Sequence, residues 1–174
     1  GGIKRFLAAR DRGARLITIK PSVEPDVAKS EIWVPIRPGT DAALALAMLH
    51  VIINESLYDR DFVADWCYGF DDFKAYVQQF TTEWAETITG VPKAQIEEIA
   101  RLYAGARCAA IDAGNGLEHA PSASDAVRAV GILMAITGNL NRRGGNLPRQ
   151  NIAMSSLAPV ELKARLNPDL RSKL

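Results

Sequence analysis

The sequence Trp-Val-Pro-Ile-Arg-Pro-Gly-Thr-Asp at residues 33–41, followed by a mostly apolar run at residues 42–53, decides the fold of this chain. An extended segment ends at Pro38 and Gly39, because proline cannot donate to a sheet ladder and glycine tolerates unusual backbone angles. The next helix begins with Thr40 and Asp41, whose polar side chains suit the unpaired N–H groups and positive dipole of a helix N-terminus. This order of elements predicts a ligand-binding ledge at the carboxyl end of the strand.

Size and composition indicate one globular domain and exclude several classes of protein. The chain has 174 residues, of which 48% are hydrophobic and 24% are charged, a usual balance for such a domain. A net charge of +1 argues neither for nor against a nucleic-acid surface, but the nearest basic cluster, Arg142-Arg143 with Arg149, has no interleaved aromatic residues, so we expect no nucleic-acid partner. The apolar run at residues 42–53 is shorter than the roughly 20 residues of a membrane span, so it predicts a core helix. Cys67 and Cys108 lie far apart, without the ligand series of an iron–sulfur or zinc site.

Helical and extended patterns alternate along the chain. This alternation predicts an α/β fold with a Rossmann-like, doubly wound, mostly parallel sheet and helices on both faces. Both ends look cut, and the first helix and strand resemble the return half of a βαβ unit, so we expect a longer polypeptide. We expect a binding domain at residues 1–150, truncated at its N-terminus, and a peripheral segment at residues 151–174. The predicted strands lie at residues 14–19, 32–36 and 108–112, and the predicted helices lie at residues 3–12, 41–56, 92–104, 124–136 and 159–166, with two short helices in residues 57–80 and another from Thr81.

Four loops are candidates for a ligand site. Three follow the predicted strands and would emerge at one edge of a doubly wound sheet. The third of these loops has two glycines of a dinucleotide-binding fingerprint but carries His119 in place of the third glycine. The sequence contains no recognisable catalytic or metal-binding set. The four loops are Lys20-Pro21-Ser22, Pro38-Gly39-Thr40-Asp41, the segment from Gly114 to His119, and Gly144-Gly145.

Two roles are open for Asp41. A carboxylate can accept two parallel hydrogen bonds from a base edge that displays an N–H beside an NH₂ group, as guanine does and adenine does not. Alternatively, Asp41 only stabilises the N-terminus of its helix, an effect of about 0.5–1 kcal/mol. The chemistry of the residue alone does not decide between the two.

The order of the motifs carries more information than any one of them. In chain order they are a strand with Lys20-Pro21, the segment at residues 33–44, His50-Val51-Ile52-Ile53, Leu57-Tyr58-Asp59, Phe62-Val63, Gly69-Phe70, the segments at residues 88–92 and 100–104, Gly114-x-Gly116, the segment at residues 137–140, and Gly144-Gly145. This series resembles the molybdopterin oxidoreductases of the dimethyl-sulfoxide-reductase type, which include formate dehydrogenases, periplasmic nitrate reductases and thiosulfate or polysulfide reductases. The resemblance covers roughly residues 3 to 150.

The resemblance implies a large catalytic subunit that holds molybdenum or tungsten between two molybdopterin guanine dinucleotides. This chain would supply the central nucleotide-binding domain, and Asp41 would recognise guanine rather than only cap its helix. The family's first loop often reads Asp-Pro-Arg, so Lys20 reverses a charge, and His119 stands where relatives often have Gln. The residues implied at the guanosine end are Lys20, Pro21, Ser22, Gly39, Thr40 and Asp41, and those implied near the pterin are Gly114, Asn115, Gly116 and His119.

The resemblance also implies what lies outside this chain. A Ser, Cys or selenocysteine ligand to the metal and a 4Fe-4S cluster would belong to the remainder of the catalytic subunit. A separate iron–sulfur subunit would transfer electrons, and the isolated chain would not catalyse. The alternative is a non-catalytic binding or scaffolding domain that keeps the fold without the cofactor, which the departures at Lys20 and His119 favour. A nicotinamide-dependent dehydrogenase is disfavoured by the missing third glycine.

Overall fold

The computed structural model of the chain describes residues 2–25 and 27–147. The peripheral segment at residues 151–174, with the helix expected at residues 159–166, lies outside the described residues. Helices predominate, and two short strands form a parallel sheet. In chain order the elements are α1 (Gly2–Arg10), β1 (Ile17–Ile19), a 3₁₀ turn (Val27–Lys29), β2 (Ile32–Val34), α2 (Asp41–Asn54), α3 (Arg60–Trp66), α4 (Phe70–Tyr76), a 3₁₀ turn (Val77–Gln79), α5 (Thr82–Thr89), α6 (Lys93–Gly105), α7 (Asn115–Glu118) and α8 (Ala123–Ile136).

The two strands bring their carboxyl ends to one edge. They pair in parallel, with Ile19 opposite Val34. Beyond this pair, the backbone N–H of Lys20 donates to the carbonyl of Val34 at 3.1 Å, and the indole N–H of Trp33 donates to the carbonyl of Lys20 at 3.0 Å. The loops that follow the two strands are therefore neighbours, as the alternation of elements predicted.

Helix α2 lies at the centre of the core and packs against α5, α6 and α8. Its sequence is apolar almost all round, and such a helix is stable in water only when neighbours cover it. Leu49 and Ile52 are fully buried, together with Ile96 and Ile99 of α6 and Leu133 of α8. Burial of each such side chain contributes about 1.5–3 kcal/mol. Within residues 2–25 and 27–147, no helix has the length and apolarity needed to cross a bilayer.

Within the described residues, the predicted helices are confirmed with small shifts at their ends. Helix α1 ends at Arg10, and α2 ends at Asn54, while α3 and α4 are the two short helices expected within residues 57–80. Strand β2 ends at Val34, directly before Pro35, which has no N–H to donate to a ladder.

The prediction of a third strand at residues 108–112 is wrong for the described chain, because this segment pairs with neither strand. Two asparagine side chains bind its backbone instead. Oδ1 of Asn139 accepts a hydrogen bond from the N–H of Ala109 at 2.8 Å. Asn146 binds both backbone groups of Ile111: its Oδ1 accepts from the N–H at 2.9 Å, and its Nδ2 donates to the carbonyl at 2.7 Å. The described sheet therefore has two strands, and the segment is extended without belonging to it.

Asp59 joins the start of α3 to the end of α8. Its Oδ1 accepts a hydrogen bond from the N–H of Phe62 at 3.0 Å, which caps α3. Its backbone N–H donates to the carbonyl of Ile136 at 2.7 Å. Gly138 has a positive φ of 65°, and a Cβ there would overlap the Asp59 carboxylate. Only glycine suits both the backbone angle and the space at this position.

We predict a double-mutant interaction between these two residues. Asp59→Ala should lower the free energy of unfolding by about 1 kcal/mol through loss of the cap. Gly138→Ala should lower it further, because the methyl group is strained and meets the carboxylate. In the double variant the overlap with the carboxylate is absent and only the contact with the Cβ of residue 59, at 3.1 Å, remains, so the total loss in urea denaturation should be smaller than the sum of the single losses.

Gly131→Ala is the control, because a Cβ at that position of α8 meets nothing. It should stabilise the protein by about 0.5–1 kcal/mol through helix propensity. Strictly additive losses at Asp59 and Gly138 would contradict the clash.

Candidate functional site

The turn between β2 and α2 is closed by Arg37 and Thr40. The N–H of Thr40 donates to the carbonyl of Arg37 at 3.3 Å, and the Thr40 hydroxyl donates to the same carbonyl at 2.7 Å. Gly39 has a positive φ of 79°, as the third residue of such a turn requires. Thr40 is the N-cap residue, but its hydroxyl does not cap the helix. The sequence-based expectation that this hydroxyl would bind the helix N–H groups is therefore wrong, because the hydroxyl points back into the turn.

Asp41 is the first residue of α2 and is half-buried. Burial raises the pKa of its carboxyl above the ordinary value, and a hydrogen bond from its own backbone N–H offsets part of this rise. Among the described residues, no other group donates a hydrogen bond to this carboxylate. The acceptor positions that a base edge would need are thus not occupied by the rest of the described chain.

A shallow depression of about 260 Å³ lies between the second and third candidate loops. A Cβ built on Gly39 would come within 3.8 Å of the Cβ of Ala120, so the two loops are in close approach. The two loops thus meet, although the segment before the third loop is not a strand of the described sheet. The residues that line the depression are Pro38, Gly39, Gly116, His119, Ala120 and Pro121.

The first candidate loop does not line this depression. Lys20 forms an ion pair with Glu24, with 2.8 Å between Nζ and Oε2. Pro21 and Ser22 are exposed. The structure therefore places this loop beside the second loop through the parallel strands, but outside the cavity.

The third candidate loop is partly helical. Gly114 precedes the short helix α7, which contains Asn115 and Gly116, so the loop expected over these residues is shorter than predicted. Gly114 and Asn115 are exposed and stand outside the depression, whereas Gly116 and His119 line it. Of the ten predicted site residues, Gly39, Gly116 and His119 lie around one cavity.

Sequence reasoning missed the residues that support the third loop. Asn139 and Asn146 hold the segment that leads to Gly114. The available signal was asparagine in a glycine-rich loop, where its side chain commonly binds backbone groups. Ala120 and Pro121, which complete the depression, carry no chemical signal in the sequence.

Tyr103 lies close to Asn139, one of the two asparagines that bind the segment before Gly114. Its hydroxyl is buried and has no hydrogen bond of ordinary geometry, although Thr137 and Asn139 are close enough to influence it. The Thr137 hydroxyl is already engaged, since it donates to the carbonyl of Leu133 at 2.6 Å and accepts from Nδ2 of Asn139 at 2.9 Å. Burial raises the pKa of Tyr103 above its ordinary value.

These features define a class of domain. It is a mostly helical domain with a small parallel sheet, a glycine-lined depression beside the turn that follows β2, and a half-buried carboxylate in the first turn of α2. Within residues 2–25 and 27–147, no three His, Cys, Asp or Glu side chains gather closely enough to hold a metal ion.

Comparison with known proteins identifies the family. The family model described as molybdopterin oxidoreductase matches residues 3–172. Acetylene hydratase from Syntrophotalea acetylenica is 34% identical over 167 residues, which are 96% of this chain and 23% of the relative. The alpha subunit of the F420-dependent formate dehydrogenase from Methanocaldococcus jannaschii is 38% identical over 141 residues, with 81% of this chain and 21% of the relative covered. Dimethyl sulfoxide reductase DmsA from Escherichia coli is 34% identical over 168 residues, with coverage of 84% and 21%.

The structural comparison agrees. The solved structure of acetylene hydratase from Pelobacter acetylenicus matches with a TM-score of 0.77 and 38% identity, over 79% of this chain and 19% of that chain. The chain belongs to the molybdopterin oxidoreductase family. It spans about a fifth of the length of these relatives.

We predict that Asp41 titrates above the ordinary range of an aspartate, because burial disfavours its charged form. Since the pKa is raised on folding, protonation of Asp41 stabilises the fold; this contribution is present at low pH and is lost as the pH rises through the raised pKa. NMR titration of the side-chain carboxyl carbon, assigned with Asp41→Asn, measures the pKa directly.

The stability of Asp41→Asn provides a second measurement. The variant should be more stable than the parent at neutral pH, and this gain should shrink as the pH falls below the pKa of Asp41. A carboxyl that titrates below the ordinary range would contradict the effect of burial.

We predict that Asn146 is required for the third loop. Asn146→Ala leaves both backbone groups of Ile111 without their partners, which should lower the free energy of unfolding by about 1–3 kcal/mol. Hydrogen exchange of the Ile111 amide should accelerate more than that of core amides. Asn141→Gly, in the same loop, is the control, because its positive φ of 55° suits glycine. Unchanged protection of Ile111 in Asn146→Ala would rule out this support.

Proposed function

We propose that this chain forms part of the site for one molybdopterin guanine dinucleotide and that Asp41 recognises its guanine base. The observation that carries the proposal is the half-buried Asp41 carboxylate, to which no other described residue donates. A carboxylate at this place can accept from the N–H and NH₂ of guanine in parallel, a pair of charge-assisted hydrogen bonds. Adenine displays no such edge, so the site would select guanine.

The depression beside the β2–α2 turn, which Asp41 does not line, would hold the remainder of the nucleotide. Gly39 and Gly116 line the depression without side chains, so a ligand can approach the backbone closely. In our proposal the loops with Lys20, Pro21 and Ser22 and with Gly39, Thr40 and Asp41 hold the guanosine end. The third loop, with Gly114, Asn115, Gly116 and His119, extends toward the pterin.

The fold of the intact domain is also part of the proposal. We infer that β1 and β2 belong to a Rossmann-like, doubly wound, mostly parallel sheet of the intact domain. The parallel pairing of β1 and β2 supports this inference. Residues 1–150 would form the dinucleotide-binding domain and residues 151–174 a peripheral segment.

The chemistry of the whole enzyme would lie outside this chain. The names of the relatives describe hydration of acetylene, dehydrogenation of formate and reduction of a sulfoxide, so the shared domain is better explained by a common cofactor than by a common substrate. The molybdenum or tungsten held by the bound cofactor would supply two-electron chemistry. The remainder of the catalytic subunit, a 4Fe-4S cluster elsewhere in it and an iron–sulfur subunit would complete the electron path. This chain would orient the cofactor without catalysing alone.

Titration with mononucleotides tests the proposal. We expect GMP to bind the chain more tightly than AMP, by about 10–100-fold, because two charge-assisted hydrogen bonds are at stake. Asp41→Asn should remove most of this preference, since an amide offers one acceptor and places donors against those of guanine. NMR titration or calorimetry at neutral pH measures both dissociation constants.

Asp61→Asn is the matched control, because Asp61 also lies in the first turn of a helix but is exposed. It should leave both dissociation constants unchanged. Equal binding of GMP and AMP would favour a scaffolding domain that retains the fold without the cofactor. A guanine preference that survives in Asp41→Asn would contradict recognition of the base by Asp41.

A further inference from the structure

Arg37 saturates the C-terminus of helix α5. The last carbonyls of a helix have no partner within it and carry the negative end of its dipole. Here the carbonyl of Glu86 accepts from the N–H of Gly90. The next three carbonyls all accept from Arg37: Nη1 donates to Thr87 and Ile88 at 2.8 and 3.0 Å, and the backbone N–H donates to Thr89 at 2.9 Å.

The opposite side of Arg37 closes the turn that leads to Asp41. Its carbonyl accepts both hydrogen bonds from Thr40, at 2.7 Å from the hydroxyl and 3.3 Å from the N–H. Arg37 thus binds the start of the turn to α5, and its carbonyl accepts the hydrogen bonds that close the turn. Asp41 follows directly as the first residue of α2.

The guanidinium of Arg37 also lies beside Gly90. Gly90 has a positive φ of 74°, and a Cβ there would lie 3.5 Å from Nε of Arg37 and 3.7 Å from its Cζ. The side chain therefore lies flat over the glycine that ends α5. Both side-chain hydrogen bonds come from Nη1 alone, so a lysine ammonium, which has three donors, can reproduce part of this contact but not the planar surface over Gly90.

We propose that Arg37 is the positioning residue of the guanine site: by tying the β2–α2 turn to the C-terminus of α5, it holds the Asp41 carboxylate where a base edge can meet it. This inference rests on the proposed function. Arg37 does not touch the base in this proposal. It acts through the backbone of the turn, and a ligand that is not read by Asp41 should be indifferent to it.

Variants of the full chain test the inference. Arg37→Gln removes the charge and the double contact, and we expect GMP to bind about tenfold more weakly while AMP binding is unchanged, because loss of preorganisation penalises only the oriented contact. The loosened turn should also expose Asp41. The pH at which GMP affinity is half lost on acidification should therefore move down toward that of an ordinary aspartate. Arg37→Lys should restore part of the GMP affinity.

Arg101→Gln is the matched control, because Arg101 is also exposed and binds Glu55 just beyond the other end of α2, with 2.6 Å between Nη2 and Oε1. Its GMP affinity and pH profile should equal those of the parent even if its melting temperature falls as much as that of Arg37→Gln. Circular dichroism establishes that each variant is folded, and Arg37→Lys serves the test if Arg37→Gln is not.

Three outcomes would overturn the inference. An effect of Arg37→Gln no larger than that of Arg101→Gln would mean that Arg37 only stabilises the fold. Equal loss of GMP and AMP affinity would mean that Arg37 binds phosphate directly. If Asp41→Asn retains the guanine preference, the proposed function fails and this inference fails with it; if Asp41→Asn loses the preference and Arg37→Gln keeps it, only this inference fails.

Discussion

Burial of helix α2 on nearly all sides is the constraint on which the rest of the structure depends. A helix this apolar has no face that water can solvate, so α5, α6 and α8 must surround it. Packing of Leu49 and Ile52 among them sets the direction of the helix axis. The N-terminus of α2 is thereby aimed at the edge where β1 and β2 end. The position of Asp41 is thus a result of core packing as well as of its own turn.

Two opposing effects act on the Asp41 carboxylate. A hydrogen bond from its own backbone N–H favours the anion, whereas partial burial disfavours it, and the net result is a pKa above the ordinary value. The protein thus keeps a half-buried acid without a partner from the described residues, at a position where a neutral residue would fit the fold better. Local disagreement of this kind between a residue and its surroundings is typical of binding sites.

Much of this architecture was predictable from the sequence, since helices and strand ends follow local rules. The pattern of apolar residues located α2, whereas β2 ends at Val34, directly before Pro35, and not at Ile36 as predicted. The absence of the predicted third strand could not be foreseen from the sequence, because a strand forms only where a partner strand pairs with it. Here the partners of Ala109 and Ile111 are side chains 30 and 35 residues away. Gly39 meets Gly116 and His119 around one cavity, although the third strand on which that expectation rested is absent from the described sheet. Lys20 lies outside this cavity, and no spacing rule in the sequence predicts the path of its loop.

The two hydrogen bonds between the side-chain amide of Asn146 and the backbone of Ile111 have a consequence for folding. A ladder between two strands can form in several registers, but a side-chain amide that binds both groups of one residue permits only one. The segment before Gly114 is therefore fixed along its length by the loop after α8. The position of this segment does not depend on pairing with β1 or β2. The third loop can therefore adopt its structure before β1 and β2 pair. The order in which parts of the domain fold need not follow the order of the strands.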